Sequence, residues 1–210
     1  NPYVQYDLAK AREYLRKAGY PDGIDPKTGR PLELSFDQGG TAAQHRQLAE
    51  LMVEDMRKIG IVIKPVLNNR PAFLEKLRKG QCQLFRITWV GDYPDAENFL
   101  QLFYGPNAGS CNRAFFRAAE FDRMFEEIRV MPDTPARTAK YQAMSRFVNE
   151  QCVWIFEGYP IAFHLSHCWL QNYRPHDFAF ARWKYLTVDQ AQRVAAKKTF
   201  HPLEMKELRR

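Results

Sequence analysis

The sequence predicts an α/β fold, and two observations support the prediction. Short β-prone runs at residues 32–36, 61–67 and 84–90 alternate with helical patterns at 41–59 and about 71–78. Glycines separate most of these runs and end the helical patterns. Strand, helix, strand, helix, strand is the order of βαβ units, so we expect at least part of the sheet to be parallel, with right-handed crossovers.

Helices are also predicted on both sides of this alternating region. Asp7 precedes a run of helix formers at residues 8–18, and Gly19 follows where a helix commonly ends. Further helical patterns come after the third strand, at residues 96–103, 119–131 and 135–151. The short proline-containing turn between the last two predicts a helix hairpin.

The last quarter of the chain has a weaker pattern. Residues 152–169 are apolar, aromatic and β-prone, with interruptions at Gly158 and Pro160. A last strand is expected at residues 181–188. From Asp189 onward helix formers mix with Lys and Arg, which is typical of a peripheral helix or a partly disordered tail.

Composition excludes several classes of protein. Hydrophobic residues make up 45% and charged residues 26% of the chain, which is ordinary for a soluble globular protein, and no apolar run approaches the roughly 20 residues of a membrane span. Residues 182–210 hold eight Lys/Arg and three Asp/Glu, so this tail carries most of the net charge of +7. A basic tail without a nucleic-acid-binding motif argues against nucleic acid as a partner.

The four cysteines do not predict a metal site. Cys82, Cys111, Cys152 and Cys168 include no CxxC pair, which argues against structural zinc. An even number permits one or two disulfides in an oxidising compartment without requiring them. Their pairing therefore stays open.

Residues 84–95 are the strongest candidate for a functional site. A β-prone run brings Trp89 and Asp92 to the carboxyl end of a predicted strand, the sheet edge where α/β proteins usually bind ligands. Asp95 is predicted to cap the helix that follows. A plainer interpretation makes both aspartates helix caps and Trp89 a core residue.

Five segments, in the same order along the chain, resemble a known family. They are YDLAKA (6–11) with AGYPDG (18–23), MRKIGI (56–61), FLEKLRKG (73–80), WVGDYPD (89–95) with NF (98–99), and FDR (121–123). Together they resemble the C-terminal portion of the family 5 extracellular solute-binding proteins, the oligopeptide- and dipeptide-binding components of ABC importers.

The resemblance implies one lobe of a type II periplasmic-binding-protein fold, with a mixed sheet flanked by helices. It implies that residues 1–170 form the ligand-binding lobe, and that residues 171–210 hold a strand returning toward a missing N-terminal lobe plus the basic tail. It further implies a monomer in the periplasm or outside the cell, associated with the membrane through ABC permease subunits. No enzymatic activity, cofactor or metal is implied.

The resemblance also assigns the site. In peptide-binding members the aspartate of the Trp-x-x-Asp turn pairs with the ligand's α-ammonium and the tryptophan lines the pocket, which implies these roles for Asp92 and Trp89. Tyr93 lies in the same turn, and Asn107 and Asn112 fall where the family has further polar contacts. Related members take haem, nickel complexes, sugars or opines, so a non-peptide ligand is an alternative.

Two interpretations from other functional classes remain. A metal-dependent hydrolase would use His164 and His167, but residues i and i+3 of a strand point to opposite faces, which disfavours a preformed metal site. An interaction module would use the basic tail to contact acidic partners or anionic lipids, and its binding would weaken steeply with salt.

Overall fold

A computed structural model of the protein describes residues 5–159, 161–176, 178, 181–202 and 204. These residues form two compact units. The first holds Pro94–Glu157 and the chain up to Val90, and the second holds Gly91–Tyr93 and the chain from Gly158 onward. The domain division predicted between residues 170 and 171 stays a prediction.

The first unit contains a three-stranded parallel sheet. Its strands are Glu33–Gln38 (β1), Val62–Leu67 (β2) and Leu84–Arg86 (β3), in the spatial order β2-β1-β3. β1 pairs along its whole length with β2, while β3 pairs only with the last three residues of β1. The predicted parallel strands are confirmed. All strands described in this sheet are parallel, so the mixed sheet that we expected is not seen in the described part of the chain.

Six α-helices are described in the first unit. In chain order they are Leu8–Lys17 (α1), Ala43–Arg57 (α2), Arg70–Arg78 (α3), Glu97–Leu100 (α4), Ala119–Val130 (α5) and Pro135–Glu150 (α6). A 3₁₀ turn, Gln101–Phe103, continues α4. The side chains of Asp7, Asn69 and Thr134 cap α1, α3 and α6 by accepting backbone N–H groups. The predicted helices are confirmed. Local signals of this kind define helix ends, which is why these helices could be predicted from the sequence.

Two apolar clusters stabilise the first unit. One lies at the sheet, where Phe36 and Ile63 are buried together with Ala49 of α2. The other lies among the helices, where Phe121, Ile128 and Met144 are fully buried between α5, α6 and the segment after α4. Burying side chains of this size contributes about 1.5–3 kcal/mol each, so both clusters hold the sheet and the helix hairpin in fixed shapes.

A close backbone contact joins two of the segments on which the family resemblance rests. Gly60 has φ of +87° and Gly23 has φ of +75°. A Cβ atom on Gly60 would lie 2.0 Å from the carbonyl oxygen of Asp22, and one on Gly23 would lie 2.4 Å from the backbone of Gly60. Only glycine combines the left-handed conformation with this approach, which explains the glycine in each segment.

The second unit contains a small antiparallel pair, Leu170–Gln171 (β4) with Thr187–Val188 (β5), followed by the helix Gln190–Thr199 (α7). The helix confirms one of the two structures expected for the tail. The strand predicted at residues 181–188 is wrong for its first half, because Arg182–Tyr185 forms a 3₁₀ turn. Only the two residues opposite β4 have a strand partner.

The β-prone segment at residues 152–169 contains no strand among its described residues. Side chains that a paired strand would cover are exposed there, including Phe163 at 87% and Leu165 at 99%. A β-prone sequence becomes a strand only where another strand supplies hydrogen-bond partners, and none is described beside this segment.

Candidate functional site

The candidate site follows the carboxyl end of β3. The strand ends at Arg86, earlier than the predicted residue 90, because its partner β1 ends at Gln38, opposite Arg86. The chain then runs without regular structure from residue 87 until α4 begins at Glu97. Trp89 therefore lies on an irregular segment that leaves the carboxyl end of a parallel strand, where ligands of α/β proteins commonly bind, and Asp92 follows three residues later in the sequence.

Trp89 has a fixed orientation. Its indole is half-buried against the helical cluster, and its Nε1 donates a hydrogen bond of 2.9 Å to Oδ1 of Asn98. Asn98 is fully buried in α4. The indole is thus held at both its apolar body and its polar edge, which leaves a rigid, partly exposed aromatic surface.

Asp92 and Tyr93 are exposed and belong to the second unit. Asp92 follows Trp89 by three residues. A phenol and a carboxylate in one turn can bind a cationic or hydrogen-bonding group. Their roles in ligand binding stay predictions.

Asp95 lies one residue before Ala96, the N-cap position of α4, and caps the helix by accepting the N–H of its first residue, Glu97. It also makes contacts that the sequence did not reveal. Its Oδ1 accepts the backbone N–H of Glu97 at 2.9 Å and the Tyr141 hydroxyl at 2.6 Å. Its Oδ2 forms an ion pair of 2.7 Å with Nη1 of Arg137. Partial burial opposes ionisation, but the hydrogen bonds from Tyr141, Glu97 and Arg137 outweigh it and lower the pKa of Asp95.

Arg137 and Tyr141 form the other half of this contact. The guanidinium lies 4.9 Å from the centre of the Tyr141 ring, and Nε of Arg137 donates to the carbonyl of Ile128 at the end of α5. Burial and the neighbouring Asp95 carboxylate raise the pKa of Tyr141, so its hydroxyl stays a donor. We call Asp95, Arg137 and Tyr141 the anchor cluster.

Asn107 and Asn112 support a loop. Asn112 is fully buried; its Nδ2 donates to the carbonyls of Tyr104 and Phe116, and its Oδ1 accepts the N–H of Phe116. The Asn107 amide donates to the carbonyl of Gln101 at 3.1 Å. The sequence predicted both as ligand contacts. These hydrogen bonds join Asn112 to three backbone groups of the loop, and the ligand-contact roles of both asparagines stay predictions.

A buried polar group at the same sheet edge was missed by the sequence reasoning. Asp37 at the end of β1 is 2% exposed and accepts from Asn68 at 2.9 Å and from Lys76 at 2.8 Å. Burial, and next the Asp37 carboxylate, raise the pKa of the neighbouring Cys82 thiol to about 11, so this cysteine is not a nucleophile at neutral pH. The sequence contained a signal for this group, because Asp37 and Asn68 come at the carboxyl ends of the adjacent strands β1 and β2.

The histidines of the hydrolase interpretation do not assemble a site. His167 stacks on Trp169 with ring centres 4.0 Å apart, and the centre of the His164 ring lies 5.6 Å from that of Tyr173. No group of three metal-ligating side chains occurs within the residues that the structure covers. The four cysteines, all within those residues, are free thiols.

One comparison decides the family. The model of the family described as bacterial extracellular solute-binding proteins, family 5 Middle, matches residues 1–111, which is more than half of the 210-residue chain. The chain belongs to this family. The match covers four of the five regions that carry the resemblance, at residues 6–23, 56–61, 73–80 and 89–99. The resemblance is confirmed. No described helix of this family 5 chain is both long and apolar enough to cross a membrane.

Several known proteins are similar to the family 5 chain. Heme-binding protein A of Haemophilus influenzae is 26% identical over 186 residues, covering 88% of the chain and 33% of that protein. Di/tripeptide-binding protein 1 of Pseudomonas aeruginosa is 28% identical over 148 residues, covering 70% of the chain and 27% of that protein. The chain therefore spans about a third of the length of these curated relatives.

A solved structure shows the same fold. The oligopeptide-binding protein AppA of Bacillus subtilis, in complex with a nonapeptide, superimposes with a TM-score of 0.72 at 19% identity, covering 88% of the family 5 chain and 38% of that one. The predicted fold class, α/β as in one part of a periplasmic binding protein, is confirmed.

Proposed function

We propose that this chain forms one wall of a solute-binding cleft in a protein that delivers peptides to an ABC importer outside the cytoplasmic membrane. The observation that carries the proposal is the Trp-x-x-Asp sequence that follows β3 of the parallel sheet. Asn98 fixes the indole of Trp89, and Asp92, an exposed residue, follows three residues later. Membership of a family of extracellular solute-binding proteins supports it.

The chemistry of the turn suits a peptide with a free amino terminus. The Asp92 carboxylate would accept charge-assisted hydrogen bonds from the peptide's α-ammonium. Trp89 would add aromatic contact area that tolerates many side chains. A second lobe closing over the turn would remove water from this pair, and a buried charge pair discriminates strongly against ligands that lack the charge.

Transport would then depend on an equilibrium between open and closed forms. A peptide that contacts both walls of the cleft binds the closed form better and shifts the population toward it. The permease subunits would recognise the closed form. None of these steps requires an enzymatic reaction or a cofactor.

Haem is the second candidate ligand, because heme-binding protein A resembles the chain over 88% of its length. Both ligands can be tested on the two-lobed protein that would contain this chain. We expect native mass spectrometry, after incubation with an equimolar pool of di-, tri- and tetrapeptides, to show one peptide bound per protein.

Two other outcomes would change the assignment. Stoichiometric uptake of haem in a parallel absorbance titration, with no peptide retained, would favour the second candidate. Uptake of neither ligand would contradict both.

A further inference from the structure

The segment that carries Asp92 is held at both of its ends. Before it, Trp89 is bonded to Asn98 of α4. After it, Asp95 accepts from the backbone of Glu97 and from two side chains of α6. Residues 90–94 lie between these two sets of contacts along the chain.

The anchor cluster exceeds what a helix cap needs. One acceptor for the N–H of Glu97 would cap α4, which has only four residues. Asp95 also binds Arg137 through Oδ2, and its Oδ1 accepts the Tyr141 hydroxyl in addition to the N–H of Glu97. Arg137 and Tyr141 lie 42 and 46 residues further along the chain. Arg137 also bonds the end of α5 through the carbonyl of Ile128. The end of the turn is thereby fixed to the α5–α6 hairpin.

The hairpin is a rigid support. Ile128 of α5 is fully buried, as are Phe121 and Met144 in the same cluster. The Arg137 side chain is only 13% exposed, so its ion pair with Asp95 is shielded from solvent more than a surface pair would be. A contact of this kind restricts the end of the turn more than a solvent-exposed cap would.

We infer that Asp95, held by Arg137 and Tyr141 of α6, is a positioning residue that orders the solute-binding turn before a ligand arrives. The inference rests on the proposed function, in which Asp92 pairs with the ligand's ammonium. A turn that is already ordered loses less conformational freedom on binding, so the same contact gives a higher affinity. Asp95 itself is used by the protein and does not touch the ligand.

Two variants test the anchor cluster. Asp95→Asn keeps an oxygen for Glu97 and Tyr141 but places an amide NH₂ against Arg137, and Tyr141→Phe removes a single donor while keeping the ring. Glu127→Gln is the matched control, because it breaks the ion pair between Glu127 of α5 and Lys140 of α6 without touching the turn.

The first measurement is ¹⁵N backbone relaxation of Asp92 and Tyr93 in the 210-residue chain. We expect order parameters near the rigid value of about 0.85 in the unchanged chain and in Glu127→Gln, and below about 0.6 in Asp95→Asn. Unchanged order parameters at both residues in Asp95→Asn would overturn the inference, whatever the ligand is.

The second measurement is calorimetry on the two-lobed protein with trialanine and with N-acetyl-trialanine. We expect Asp95→Asn to weaken trialanine binding about tenfold, Tyr141→Phe to weaken it less, and neither to change binding of the acetylated peptide. A merely structural role would weaken both peptides equally, and that result would overturn the inference. If the unchanged protein binds neither peptide, the proposed function fails, while the relaxation experiment still decides whether Asp95 orders the turn.

Discussion

Asp95 receives three donors, and each of them favours its ionised form. Because its pKa is lowered in the folded chain, the carboxylate contributes stability above its unfolded pKa of about 3.9, and this stability is lost as the pH falls through the folded pKa. The side chain is 30% exposed, so the contribution is at the lower end for hydrogen bonds to a charged group.

The first prediction follows from the lowered pKa of Asp95. At pH 7, Asp95→Asn should lower the free energy of unfolding by about 1–2 kcal/mol. The difference from the unchanged chain should shrink as the pH is lowered from about 5 to below about 4, because the carboxylate becomes protonated. Urea denaturation at several pH values measures it. A difference that is the same at pH 7 and at pH 3 would contradict the assignment.

The same residue shows the limit of sequence reasoning at this scale. The capping of α4 by Asp95 was predictable, because the residue that it contacts is two positions away. Its contacts with Arg137 and Tyr141 were not, because no local pattern reports on side chains more than 40 residues distant. The burial of Asn112 was not predictable for a related reason, since burial of an asparagine in a loop depends on how the loop folds.

At the scale of elements, the helices were predictable and the strand ends were not. Helix ends are set by nearby caps such as Asp7 and Thr134, which can be recognised in the sequence. A strand ends where its partner ends. β3 therefore stops at Arg86 opposite the end of β1, and β5 is confined to the two residues opposite β4, although the β-prone sequence is longer in both cases.

The second prediction concerns the turn before β2. Gly60→Ala should lower the free energy of unfolding by about 2–4 kcal/mol. The left-handed conformation is unfavourable for alanine, and its Cβ would lie 2.0 Å from the carbonyl oxygen of Asp22. Gly29→Ala is the control. Gly29 also has positive φ, but nothing lies within 4 Å of its added Cβ, so only the conformational cost of about 1–2 kcal/mol should appear. If urea denaturation showed the same loss of unfolding free energy for Gly60→Ala and Gly29→Ala, the close contact between the Gly60 and Asp22–Gly23 backbones would not contribute to stability.

At the scale of the whole molecule, the fold was predicted from the order of short segments. The alternation of strands and helices indicated α/β, and the family match over residues 1–111 confirmed the resemblance. The membership of Gly91–Tyr93 in the second compact unit was not predicted. Such a division depends on packing over the whole chain.

The third prediction follows from the proposed half-cleft. The 210-residue chain alone should bind trialanine at least a hundredfold more weakly than the two-lobed protein, because closure and removal of water both need the second wall. Calorimetry under identical conditions compares the two. Tight binding of one peptide per isolated chain would contradict the division of the cleft between two lobes.

The most direct test of the central claim is calorimetry of the two-lobed protein with Asp92→Asn, using trialanine and N-acetyl-trialanine. The proposal predicts a loss of about 2–5 kcal/mol for trialanine, the range for breaking a buried charge pair, and little change for the acetylated peptide, which has no ammonium. Glu50→Gln, which neutralises an exposed carboxylate on α2, should change neither. If the unchanged protein binds trialanine and Asp92→Asn binds it equally tightly, Asp92 is not the residue that recognises the ligand's ammonium.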